Sequence, residues 1–276
     1  IGVRGRLAGA WITQGLHQTG IEQVLPWTDV LQAVEGQPDA EQALLKRTAA
    51  GTIVSGTIFE TPDALTLHAE LRDARRGRLL ASLEPVRVAR DSIEQGIRLV
   101  RDRVMGAMAV TRDARFVGQP AVRQRPPTFE AYRAFDAALT AFHAQQYRPA
   151  LAGFRDAYAL DSNFVAPLLY AAQAEWNTSQ YGLVDSLLTR LDARRSELAP
   201  YHEHLRAQLR AALNGDGRAA YAAAAQAAAL APDSRAAYDA AIFALWLGWA
   251  DSARSRLERL SPDRGAMIGW PSYWTN

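Results

Sequence analysis

From Thr128 to about Arg264 the chain repeats one design, in which apolar and small residues recur at helical spacing in paired, helix-length segments. In the first pair Phe129, Tyr132, Phe135, Ala138, Leu139 and Phe142 mark one face, and Ala150, Phe154, Ala157 and Leu160 mark the next. Both sets follow the i, i+3, i+4, i+7 rule of a helix buried on one side. The joint Ala144-Gln145-Gln146-Tyr147 is short enough to force the two helices antiparallel. A lone hairpin cannot bury two apolar faces, so units of this kind must stack in arrays. Stops similar to Leu160-Asp161-Ser162-Asn163 recur at Leu230-Ala231-Pro232-Asp233-Ser234 and Leu260-Ser261-Pro262-Asp263-Arg264. Their separations accommodate repeats of roughly 34 residues, about four helix pairs in all, of which the second and third are degenerate. The nearly all-alanine run from Ala219 to Ala229 adds helix propensity and permits close helix approach.

Residues 1–112 have a different rhythm. Leu7, Ala8, Trp11, Ile12, Gly15 and Leu16 predict an opening helix, and the run Ile21-Glu22-Gln23-Val24-Leu25-Pro26 reads as a short strand. Thr28 and Asp29 are placed to cap a second short helix, and residues 39–50 predict another. From Thr52 to Phe59 β-branched residues dominate. Leu65, Leu67, Ala69 and Leu71 then alternate with Thr66, His68, Glu70 and Arg72 as a half-buried strand requires. Turns at Pro62-Asp63 and at Ala74-Arg75-Arg76-Gly77 lead to Arg78 through Leu83, giving a three-stranded antiparallel meander. A helix from about Asp91 to Met108 closes the unit, with Ile93, Ile97, Val100, Val104 and Met108 inward. Residues 113–127 carry several arginines and prolines without periodicity and read as a linker. The expected fold class is therefore an α+β amino-terminal domain (1–112), a linker (113–127), an all-α helical-repeat domain (128–264) and an aromatic tail (265–276).

Two resemblances follow from these residues. The paired segments are similar to tetratricopeptide repeats. The combination Gly51-Thr52-Ile53-Val54-Ser55-Gly56-Thr57-Ile58, Leu71-Arg72-Asp73-Ala74 and Arg76-Gly77-Arg78-Leu79-Leu80 resembles the TolB amino-terminal-like domain. The likeness continues through Ala10-Trp11-Ile12-Thr13-Gln14-Gly15-Leu16, Val104-Met105-Gly106-Ala107 and Pro126-Pro127-Thr128-Phe129-Glu130-Ala131-Tyr132. Such domains accompany tetratricopeptide repeats in bacterial regulators, adenylate cyclases and the extracytoplasmic halves of serine/threonine kinases. Relatives of this type carry a strand before the opening helix, and this chain begins too late to supply it. The resemblance thus implies either a sheet lacking that strand or a replacement from a partner or another segment.

Composition narrows the function. A formal charge of +2 is too slight for a phosphate-binding face, which excludes nucleic acid as the expected partner. Thirty of the 31 basic residues are arginine, which reflects composition first and suits protein interfaces second. With no cysteine there are no disulfides and no thiol chemistry. No window approaches the roughly 18 apolar residues of a membrane span. The opening Ile1-Gly2-Val3-Arg4-Gly5-Arg6 has no hydrophobic signal core, so a signal or anchor is expected upstream.

The search for chemistry finds little. His202 and His204 stand two apart and point in opposed directions on a helix, which does not make a shared metal site. His17, His68 and His143 are isolated, and Ser55 lacks the flanking pattern of a nucleophile elbow. No phosphate-cradling loop, dinucleotide fingerprint or calcium loop occurs. We therefore expect no enzyme and no cofactor, but a protein-interaction scaffold. Its partner contacts are expected in the arginine-rich linker (Arg112, Arg115, Arg123, Arg125) and in exposed aromatics (Trp246, Trp249, Trp270, Tyr273, Trp274), since arginine and aromatics anchor interfaces. The chain looks like a relative of the kinase-ectodomain family recruited as a membrane-extrinsic accessory subunit. Subunits of that kind hold a bacterial photosynthetic reaction centre in its light-harvesting ring. On that view it is periplasmic or membrane-extrinsic, and its partners are other proteins, membrane-embedded subunits above all. The alternative is the ligand- or peptide-sensing extracytoplasmic region of a signalling receptor.

Overall fold

The computed structural model describes residues 2–20, 23–116 and 125–261. The chain is mostly helical with a small antiparallel sheet, and it divides into two compact units.

The first unit comprises Ile1–Arg112 with Pro120–Phe129. Helix α1 (Val3–Thr19) ends on Gly20, whose φ of 64° supplies the left-handed cap that other residues adopt at a cost. Helix α2 (Trp27–Val34) is preceded by Pro26, so Thr28 and Asp29 fall within its first turn instead of capping it. The expected strand before it is absent over residues 23–26, where Pro26 withdraws a ladder donor. Helix α3 (Ala40–Arg47) is capped by Asp39, whose side chain accepts from the Gln42 amide at 3.0 Å.

The sheet is built on β2 (Ala64–Asp73). Along one side runs β1 (Thr52–Glu60), in unbroken antiparallel register from Thr52↔Asp73 to Glu60↔Leu65. The other side is shared end to end by β3 (Arg78–Ser82) and β4 (Val86–Ala89). The third line of the expected meander thus continues past Leu83 and is interrupted at Glu84-Pro85, because proline has no N–H for the ladder. Leu65, Leu67, Ala69 and Leu71 are buried against Ile97, Val100, Val104 and Met108 of α4 (Ile93–Thr111). Each such leucine contributes about 2 kcal/mol relative to exposure. Gly96 lets α4 approach the sheet closely: a Cβ there would stand 2.9 Å from a Leu67 methyl and 3.0 Å from a Val88 methyl.

The second unit comprises Asp113–Gln119 and Glu130–Asn276. Its described helices form four consecutive pairs: α5 (Phe129–His143) with α6 (Tyr147–Leu160), α7 (Ala166–Asn177) with α8 (Tyr181–Asp192), α9 (Pro200–Leu213) with α10 (Gly217–Leu230), and α11 (Arg235–Trp246) with α12 (Ala250–Leu257). Every hairpin turns on a residue of positive φ, two places after the first helix and two before the second: Gln145 and Ser179 at 60°, Gly215 and Gly248 at 77°. In each, the next residue's N–H closes a bond five residues back, as in Gln146 to Ala141 (2.9 Å) and Trp249 to Ala244 (2.8 Å). This repeated helix stop satisfies terminal carbonyls and reverses the chain in minimal length.

Packing within the unit follows the apolar stripes, with one correction. Phe135, Phe142 and Phe154 are buried, whereas Leu160 is 50% exposed because it closes the last turn of α6. Gly153 brings α6 against α5, since a Cβ there would lie 2.8 Å from that of Ala138. Charged pairs join α8 to α9. Arg206, held by Glu203 of its own helix at 2.7 Å, reaches Asp192 at 2.5 Å, while Arg210 reaches Asp185 at 2.5 Å and Asp192 at 2.9 Å.

The interval read as a linker is not one over its described residues. Ala114–Phe116 forms a turn of 3-10 helix within the second unit, where Phe116 is buried among Tyr132, Phe135, Phe164 and His202. At its other end Pro126 and Pro127 are buried in the first unit, and the Pro127 carbonyl lies where Gly106 of α4 has no side chain.

Candidate functional site

The first helices of the four pairs, with the 3-10 turn, line one cavity of about 360 Å³ within the second unit. Asp136, Leu139, Thr140 and His143 come from α5 at i, i+3, i+4 and i+7, so a single helix face points into it. Tyr170 and Gln173 of α7 and Tyr201 and Leu205 of α9 extend the wall, and Ser234, Arg235 and Ala236 at the start of α11 complete it. None of the second helices contributes.

Two arginines stand in this groove, each tied to an aspartate and laid on an aromatic ring. Arg115 grips Asp113 through Nε (2.8 and 3.0 Å to its two oxygens) and Nη2 (2.5 Å), with its guanidinium 5.7 Å from the Phe135 ring centre. The Tyr132 hydroxyl also donates to Asp113, at 3.2 Å. Arg235 donates to Asp239 at 3.2 Å and lies 4.9 Å over the Phe142 ring, and Asp239 in turn accepts from Gln208 at 3.2 Å. Stacked guanidinium groups keep charge and donor edges available while their faces are packed.

The titrations follow from burial. Burial, then the charges of Arg235 and Arg115, lower His143 to about 4, so it is neutral at pH 7. His202 is lowered to about 3, by burial first and Arg115 second, and its Nε2 has no hydrogen-bond partner among the described residues. Burial raises Tyr170 and Tyr201, so both hydroxyls keep their protons. For Asp113, burial pushes upward, but the hydrogen bonds and charge of Arg115 together outweigh it and hold the acid below the usual carboxylate range. Gln173 is 5% exposed, and its Oε1 also has no partner among the described residues. A buried amide oxygen without a partner costs about 1–3 kcal/mol, which a ligand N–H would recover. The groove therefore offers guanidinium donors at its surface, with the Gln173 amide oxygen buried just behind its wall.

The contact residues expected from the sequence are dispersed. Arg115 is in the groove, mostly buried. Arg112 is exposed at the end of α4, 3.5 Å from the Thr52 hydroxyl, and Arg125 is exposed. Trp246, 67% exposed, meets Phe243 edge-on at 5.2 Å; Trp249 meets Tyr221 at 5.0 Å and carries Arg218 at 6.0 Å. These two tryptophans flank one hairpin turn. Arg123, Trp270, Tyr273 and Trp274 lie outside the described residues. Sequence reasoning missed Tyr170, Gln173, Tyr201 and Arg235. The available signal was their position on first helices, on the stripe where a core residue would otherwise stand. His202 is buried and His204 half-exposed, on different sides of α9. The described residues contain no helix long and apolar enough to cross a membrane.

No protein-family model matches the sequence, and no curated protein does. Among solved structures, a chain described as "MamA RS-1 ArsTM double mutant" is similar over 61% of this chain and 86% of that one, at 12% identity and a TM-score of 0.28. A superposition that loose bears on neither fold nor function.

Proposed function

We propose that this chain is a non-enzymatic protein-interaction scaffold whose helical-repeat unit holds a polypeptide segment in the groove formed by its first helices. The carrying observation is Gln173, a buried acceptor without a partner among the described residues, in the wall of a cavity that all four pairs line. An extended segment supplies carbonyls for Arg115 and Arg235 and N–H groups that Gln173 meets by turning its buried amide oxygen towards the cavity. The test is selection of displayed peptides on the purified chain, followed by affinities on Gln173→Ala. Loss of one such hydrogen bond costs about 1 kcal/mol, roughly fivefold in Kd. Failure to enrich any peptide, or peptides indifferent to Gln173→Ala and Arg235→Gln, refutes the reading.

Within it, the finer assignment is a periplasmic, membrane-extrinsic accessory subunit of a bacterial membrane complex, with the photosynthetic reaction centre and its antenna as the candidate. Its support is the pair Trp246 and Trp249, exposed at a hairpin turn, since tryptophan outside a core favours interfaces. Purification in mild detergent from the native membrane tests it. Recovery in a stoichiometric membrane complex supports the subunit, and recovery as part of a kinase-like receptor supports the sensor instead.

A further inference from the structure

Strand β1 ends the sheet of the first unit: β2 pairs along one side of it, and no strand among the described residues pairs along the other. Two hydrogen bonds decide which backbone groups face outward. The Thr61 N–H donates to the Ala64 carbonyl at the turn (2.9 Å), and the Ala74 N–H donates to the Gly51 carbonyl at the far end (3.0 Å). With no bulge between them, the odd-numbered residues of β1 exchange bonds with β2. Thr52, Val54, Gly56, Ile58 and Glu60 therefore turn their N–H and C=O groups outward.

An edge this long, without proline, lysine or bulge, lacks the devices that normally block strand addition. From Val54 onward its side chains are also under-covered, whereas Ile53 is only 6% exposed. Leu71 and Leu67 are 0% and 3% exposed, yet Val54 and Ile58, opposite them on the same face, stay half-exposed and Gly56 is exposed. On the reverse face Phe59 is 59% exposed.

We propose that this edge pairs antiparallel with the same edge of a second copy of the chain, about a two-fold axis at Gly56. The strand is complementary to itself in that register alone. Val54 then faces Ile58 of the second copy, Phe59 faces its Ile53, Thr57 faces its Ser55 and Thr52 faces its Glu60. Apolar meets apolar on both faces, and small hydroxyls meet each other. Moving the axis to Ser55 sets Ile58 against Thr52 and Phe59 against Gly51. Moving it to Thr57 sets Val54 against Glu60 and Phe59 against Ser55. Glu60, the one charged residue of the strand, is already paired with Arg4 (2.5 Å) and Arg90 (2.6 Å), so the two copies bring no unscreened like charge together. Such a contact is isologous and closes as a dimer.

Sedimentation velocity of the full chain over a concentration series is the test. A monomer–dimer equilibrium is expected, lost in Phe59→Lys, whose side chain stands outside the core and should leave the melting curve unchanged. Ile58→Pro removes an outward N–H that β2 does not use and should give the same loss. The chain has no cysteine, so the register can be read by cross-linking. Residues 55 and 57 of the two copies face each other as a non-hydrogen-bonded pair, about 4.5 Å between Cα atoms, within disulfide range. An oxidised mixture of Ser55→Cys and Thr57→Cys chains should give a covalent dimer that neither variant gives alone. A monomer at every concentration, a dimer that survives Phe59→Lys, or a dimeric mixture that does not cross-link overturns the proposal.

Discussion

Replacing Arg115 by methionine keeps the volume of the side chain and removes its charge, leaving Asp113 nearly buried with a carboxylate 9% exposed. Three charge-assisted contacts disappear. The Arg115 backbone N–H (3.0 Å) and the Tyr132 hydroxyl (3.2 Å) remain as donors. Breaking a buried ion pair from one side costs about 3–5 kcal/mol. The two surviving donors, and the 19% exposure of Arg115, place this case near the lower end, about 3 kcal/mol. For a unit of this size that lowers Tm by about 6–12 °C. The pH dependence is the sharper signature. In the native protein the Asp113 acid is held below its ordinary value, so the stability it contributes is complete above the unfolded pKa of about 3.9 and is lost as pH falls through the lower folded value. In the variant, burial acts without Arg115, and the folded pKa rises above about 3.9. Protonation then stabilises the folded variant, and its deficit should shrink as pH falls from 7 towards 4. Calorimetric melts of both proteins at pH 7 and pH 4.5 measure this. A deficit under about 1 kcal/mol, or one equal at both pH values, would refute the account of a buried, charge-balanced carboxylate.

The hairpin turns carry a paired expectation. Ser179→Gly should stabilise by about 0.5–1 kcal/mol, because a left-handed non-glycine residue costs about 1–2 kcal/mol, and glycine returns part of that gain through unfolded-state entropy. Gly215→Ala should destabilise by about 1 kcal/mol; urea midpoints with unchanged slope read both, and equal signs would contradict the turn assignment. His202 provides the acid-side test. Its folded pKa of about 3 lies below the unfolded value of about 6.5, so the unfolded chain binds the proton first and stability falls as pH drops from about 6.5 towards 4. His202→Phe, which suits the aromatic surroundings, should reduce that slope and leave the share of His143, which is lowered to about 4, and an unchanged slope would place the titration elsewhere.

Periodicity determined the first helix pair, because a buried stripe at i, i+3, i+4 requires the 3.6-residue turn; the spacing of recurrent stops indicated the later pairs, and alternation at Leu65 to Leu71 determined β2. The closing helix of the first unit was legible from the same kind of stripe. Other features needed the tertiary structure. Residues 113–127 carry no period, so nothing local distinguished a linker from a segment whose Phe116 and Arg115 are held by helices distant in sequence. Arg115 was singled out as a surface contact; its burial depends on Asp113 lying beside it to balance the charge. The groove was hidden because Tyr170, Gln173, Tyr201 and Arg235 occupy stripe positions in separate helices, and only stacking brings them around one cavity. The open edge of β1 was signalled only by the resemblance, whose relatives carry a further strand, and not by the residues of β1 themselves. Local β propensity makes a strand, but whether its outward amides find a partner depends on what the rest of the chain places alongside, a nonlocal fact that the composition of the strand does not encode.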